Sequence, residues 1–120
     1  MIWYWVSAAL MTITAAIHSK AGEERLLKPL LAMDQGVMAN GQSRRILRSA
    51  WHMTSIFMVS NAVVMAWPDG DPNVKAMLGG LWLAIGLFSL IRSRGRHVGW
   101  PWLSGAGIAA LIGSGLGGAA

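Results

Sequence analysis

Residues 44–67 read RRILRSAWHMTSIFMVSNAVVMAW. Three arginines (Arg44, Arg45 and Arg48) come first, followed by the pair Trp51-His52 and an apolar run that closes on Trp67 and Pro68. No charged residue falls between Met53 and Trp67. That run is too long for an ordinary amphipathic surface helix. Basic residues at one end and tryptophan at the other mark a membrane-spanning helix entered from its cytoplasmic side. On this reading the imidazole of His52 lies just inside one membrane boundary.

The rest of the chain reads the same way. Its 120 residues suffice for one domain; 54% are hydrophobic and 12% charged, against about 25% charged in soluble domains. Seven tryptophans and fifteen glycines suit interfacial anchors and close helix contacts. The net charge of +5 is carried by residues flanking apolar runs, so anionic lipid headgroups are the expected partner and nucleic acid is not. The chain has no cysteine, which excludes disulfides, Cys-ligated zinc and iron–sulfur clusters. Residues 2–17 lack a basic leader and are read as a first span rather than a cleaved signal peptide.

The expected fold is all-α: a single domain, residues 1–120, forming an integral membrane bundle of four transmembrane helices. The spans fall at about residues 2–18, 49–67, 75–91 and 99–116. Between the first two, Leu26, Leu27, Leu30, Leu31, Val37 and Met38 recur at roughly helical spacing, which predicts a short interfacial helical segment in the first cytoplasmic loop. Gly22 is the expected cap of the first helix, Pro29 the start of a new turn and Ser43 the N-cap of the second span. Nine of the ten Lys and Arg residues fall on one side; only Lys75 falls on the other. The positive-inside rule then puts both termini outside the cytoplasm. The expected location is a bacterial-type inner membrane.

Ser7, Met11, Thr14 and His18 share one helical stripe, expected to face protein rather than lipid. Gly105, Ala109, Gly113 and Gly117 run at spacing four and are expected to pack closely on another helix, in the same chain or a second copy. Asn61, with Thr54 and Thr14, supplies intramembrane polar groups, more commonly interhelical hydrogen bonds than functional sites. Arg44, Arg45, Arg48, Arg92, Arg94 and Arg96 are read as headgroup anchors.

The chemistry-bearing candidates are three histidines, His18, His52 and His97, which this topology puts on one membrane face. Imidazole suits zinc, copper and iron, and Glu23 could add a carboxylate if the first helix stopped near Gly22. A haem between His18 and His52 is a lesser variant, because both lie at helix ends. The plainer reading is interfacial histidines bonded to headgroups, water or a carbonyl. Small multidrug-resistance transporters carry a membrane-embedded glutamate in their first helix, whereas residues 2–17 contain no acid.

The expected function is a non-catalytic accessory, assembly or self-associating membrane component, associating with itself or another membrane protein. The alternatives are a metal- or haem-binding membrane protein built on the histidines, and a small transporter or channel subunit.

Overall fold

The computed structural model describes residues 2–116 and is all-helical. Helix α1 covers Ile2–Gly22 and a wide π turn covers Glu23–Leu27. The short α2 covers Lys28–Leu31, and a 3-10 turn, Gly36–Ala39, precedes α3 at Gly41–Ala66. Helices α4, Pro72–Ser93, and α5, Trp100–Leu111, follow, with the chain winding on over Ile112–Leu116. Gly115 takes a left-handed φ of 90° within that last turn.

The first helix does not stop at Gly22, which is in ordinary right-handed helical geometry (φ −62°, ψ −45°). Instead α1 runs through the π turn into α2, as one rod to Leu31. Pro29 is the physical reason the regular pattern widens just ahead of it. Its ring has no N–H and crowds the carbonyl of Arg25, and a wider turn relieves both problems. Of the expected interfacial segment, Leu26 to Leu31 are thus the end of the first helix, whereas Val37 and Met38 lie in the 3-10 turn before α3. Helix α3, where the second span is expected, also starts earlier than Ser43 suggests. Asn40 is the cap, its side-chain oxygen accepting from the Gln42 N–H at 2.8 Å.

The remaining ends follow from local sequence. Asp71 caps α4 by accepting from the Asn73 N–H at 2.8 Å, and Pro72 occupies the first turn, where a missing N–H costs nothing. At the other end Arg94 adopts the left-handed conformation (φ 53°), and Gly95 N–H returns to the Leu90 carbonyl at 3.0 Å.

Helix α1 is central, packing α3 on one side and α5 on the other, while α5 in turn packs α4. The Cα trace is a slab of 54 × 31 × 17 Å. Tyr4, Met11, Met65, Trp82, Leu103, Ala106 and Ala110 form the core. The α4–α5 seam brings backbones together: a Cβ on Gly79 would stand 2.7 Å from that of Ala110 and 3.2 Å from the Gly107 carbonyl. Polar groups lie inside as well. Ser7 is fully buried and its hydroxyl donates to the Ala106 carbonyl at 2.7 Å, tying α1 to α5.

The outer surface is apolar: Ile56, Phe57 and Val63 on α3, and Leu81, Ile85 and Phe88 on α4, are all exposed. Among the described residues one helix, Pro72–Ser93, is long and apolar enough to cross a membrane, with mean hydropathy 1.9. The other long helices carry polar or basic turns within their length: α1 ends in His18, Ser19 and Lys20, and α3 begins with its three arginines.

Candidate functional site

The chemistry-bearing side chains gather where the C-terminal end of α1 meets the N-terminal half of α3. Ser19 and Glu23 stand four residues apart on α1 and its π turn. Arg48, His52 and Ser55 repeat at four and three on α3. Residues so spaced share a helix face, so the two ladders meet rung to rung. Ser19 Oγ donates to Ser55 Oγ at 2.6 Å and stands 3.0 Å from His52 Nδ1. His52 Nε2 donates to Glu23 Oε2 at 3.0 Å, since an ionised carboxylate only accepts. The other carboxylate oxygen, Oε1, pairs with Arg48 Nη2 at 2.9 Å.

Directly beside this latch, the Trp51 indole stacks on the His18 ring, with centroids 4.3 Å apart and planes inclined by 6°. Its Nε1–H donates to the His18 carbonyl at 2.9 Å. Gly22 is the socket: a Cβ there would collide with the indole. The glycine expected to end α1 instead admits Trp51 against an unbroken helix.

Hydrogen bonding from His52, assisted by Arg48, holds the Glu23 carboxyl below its ordinary value of 4.5. A carboxyl depressed by folding stabilises the fold above its unfolded value, and the gain disappears as pH falls through the lower, folded value. The α1–α3 junction should therefore weaken only in acid. Melting wild type and Glu23→Gln in detergent at neutral and acidic pH checks this. The variant should be less stable at neutral pH and should lose less on acidification; equal acid sensitivity in both would show that Glu23 is not the titrating group.

The three histidines divide between two places. His52 belongs to the latch, with both ring nitrogens partnered. His18 and His97 instead line a cavity of about 420 Å³ between α1, α3 and the start of α5. The His97 ring is fixed in its turn, Nδ1 accepting from the Gly99 N–H at 3.1 Å. Among the described residues no three His, Asp or Glu side chains come together as a metal-holding group. The tridentate arrangement of His18, His52 and His97 is not assembled, because α3 turns His52 toward Glu23 and away from the cavity. Glu23 reaches His52 because α1 continues past Gly22, the reverse of the condition on which its joining His18 depended.

The other sequence candidates fall as follows. Thr14 is buried and its hydroxyl donates back to the Leu10 carbonyl at 2.7 Å; Thr54 is exposed and donates to the Ala50 carbonyl at 3.0 Å. Both bond within their own helix, so neither joins two helices by these bonds. Asn61 is half-buried on α3. Gly105 and Gly113 face α1: a Cβ on Gly105 would meet Leu10 at 3.4 Å and one on Gly113 would meet the Tyr4 ring at 2.9 Å. Ala109 between them is buried, and Gly117 lies outside the described residues. Arg45, Arg92, Arg94 and Arg96 are exposed, and Arg44 reaches Asp34 at 3.4 Å.

Sequence reading missed the second task of Arg48, as partner of Glu23, and the burial of Lys75. Lys75 is 2% exposed; its Nζ donates to the Trp67 carbonyl at 2.7 Å and lies 4.1 Å above the Tyr4 ring. It closes the open carbonyl end of α3 with a cation, where the helix dipole favours one. The turn Pro68–Pro72 is the signal that could have found it, since a short loop returns the first turn of α4 to the last turn of α3.

Comparison with protein-family models, with curated proteins and with solved structures gives no match.

Proposed function

We propose that this chain is a small integral membrane protein of the bacterial inner-membrane type. It crosses the bilayer four times and serves as an accessory or assembly component rather than an enzyme. The observation that carries the reading is the inverted surface. Ser7 and Thr14 are 0% and 4% exposed, while Phe57, Phe88 and Ile91 are 63%, 64% and 72% exposed. A protein in water gains by the opposite arrangement, whereas lipid tails solvate such side chains without cost.

The dimensions support it. At 1.5 Å per residue α1, α3 and α4 are about 31, 39 and 33 Å long, against a hydrocarbon core of about 30 Å. Helix α5 with its final turn is shorter, about 25 Å, and calls for tilting of its neighbours or local thinning. The arginine-bearing ends of α3 and α4 then lie at the cytoplasmic headgroups.

The accessory role is supported by how the reactive side chains are spent. His52, Glu23 and Arg48 partner one another across the α1–α3 junction and so act as a structural clamp. The described part of the small-residue face, Gly105 to Gly113, is used within the chain against α1. Association with a second membrane protein then falls to the uncovered apolar flanks of α3 and α4. Alkaline carbonate washing of membranes from expressing cells tests the reading. The protein should stay in the pellet and leave only with detergent; release into the wash would contradict it.

A further inference from the structure

The cavity beside the latch is unlike the rest of the molecule. Its walls are largely apolar, with Ile17, Leu26 and Leu103 among them, yet three basic side chains also line it: His18, Arg25 and His97. Among the described residues no acidic side chain lines it. Arg25 and His97 are exposed and stand at the mouth, whereas His18 is half-buried under the Trp51 indole. The His97 Nδ1 is occupied by the Gly99 N–H, so a neutral ring carries its proton on Nε2 as a free donor.

His18 supplies the second, independent sign. Its Nε2 is buried and has no hydrogen-bond partner among the described residues. A buried polar atom without a partner costs about 1–3 kcal/mol; that atom is sealed even from water, so an occupant bearing oxygen satisfies it only when the His18 ring turns toward the cavity. The described residues offer no such group, since the neighbouring carboxylate of Glu23 is turned to His52 and Arg48.

We propose that this cavity binds one anionic phospholipid, with its phosphodiester at Arg25, His97 and His18 and the upper part of an acyl chain along Ile17, Leu26 and Leu103. The proposal rests on the membrane reading above, which puts the cavity at the depth of the cytoplasmic headgroups. Positive charge at the mouth selects anionic over zwitterionic headgroups, and guanidinium is suited to phosphate oxygens. The apolar wall explains why a lipid, rather than a free phosphate ion, fills a space of this size.

The test uses the full chain purified in detergent. Phosphatidylglycerol, phosphatidylcholine of the same acyl chains, and inorganic phosphate are added separately, and retained lipid and melting temperature are read by native mass spectrometry and thermal unfolding. The expected result is retention of one phosphatidylglycerol with a raised melting temperature, and neither effect from phosphatidylcholine or phosphate. Arg25→Gln should cut retention about tenfold or more, the loss of a charge-assisted contact. Lys20→Gln, which removes an exposed cation that does not line the cavity, should not.

Equal retention of the two lipids, or equal behaviour of Arg25→Gln and Lys20→Gln, overturns the site. Phosphate alone reproducing the stabilisation overturns the lipid as its occupant. A chain that stays in solution without detergent would overturn the membrane reading itself, an outcome distinct from these.

Discussion

Gly107→Ala should weaken the protein by about 3 kcal/mol, near the upper end for an overpacked core. The added Cβ would stand 2.5 Å from the Leu83 nitrogen, 2.6 Å from the Gly79 carbonyl oxygen and 2.7 Å from the Leu83 Cβ. Two of those three atoms are backbone, so no side chain can swing aside, and α4 must move away from α5 along the seam. Trp82 and Ala110, core residues on the same two helices, would lose contact as it does. The matched control is Gly80→Ala, where nothing lies within 4 Å of the new Cβ. Alanine there should gain up to about 1 kcal/mol from helix propensity alone. Thermal unfolding of both variants in one detergent separates the two cases, and a Gly107→Ala protein that melts with wild type would mean the seam is not closed.

Trp51→Ala should cost a similar amount, about 3 kcal/mol, the lower range for emptying an aromatic site. The substitution removes the stack on His18 and the bond to its carbonyl, and leaves the socket at Gly22 empty. Trp51→Phe keeps an aromatic ring over His18 and loses only the N–H, which calls for about 1 kcal/mol. Amide hydrogen exchange along α1 should show the protection lost mostly near His18 and Gly22. Equal, small effects from both variants would show that the stack does not hold α1 to α3.

How much of this was legible in the sequence follows from which interactions are local. The stripe of Ser7, Met11 and Thr14 was readable because helical period alone sets it, and all three are buried. The all-helical class was readable for the same reason. The role of Gly22 was not, because a glycine after an apolar run caps a helix or admits a neighbour equally well, and only the position of Trp51 decides. Pro29 stands in the first turn of α2 as its sequence suggests, but the helix before it widens rather than breaks. Of the three histidines only His97 stands at a helix end; α1 continues past His18 and α3 begins well before His52, and rotation about the α3 axis sends His52 to Glu23 while the turn before α5 brings His97 to the cavity beside His18. No spacing within one helix encodes that division. Lys75 was counted only as the exception to the charge bias; its burial depends on Tyr4 and Trp67, distant in sequence or across a loop.

Labelling of single cysteines in intact cells tests whether the protein is a four-span bundle with its basic ends in the cytoplasm. The chain has no cysteine of its own, so each introduced thiol reports alone. Gln35→Cys, in the loop before α3, and Arg96→Cys, in the turn before α5, should react with a membrane-impermeant maleimide only after the cells are opened. Asp69→Cys, in the loop between α3 and α4, should react from outside without opening them. Labelling of Gln35→Cys or Arg96→Cys from outside, or protection of Asp69→Cys, would contradict the account.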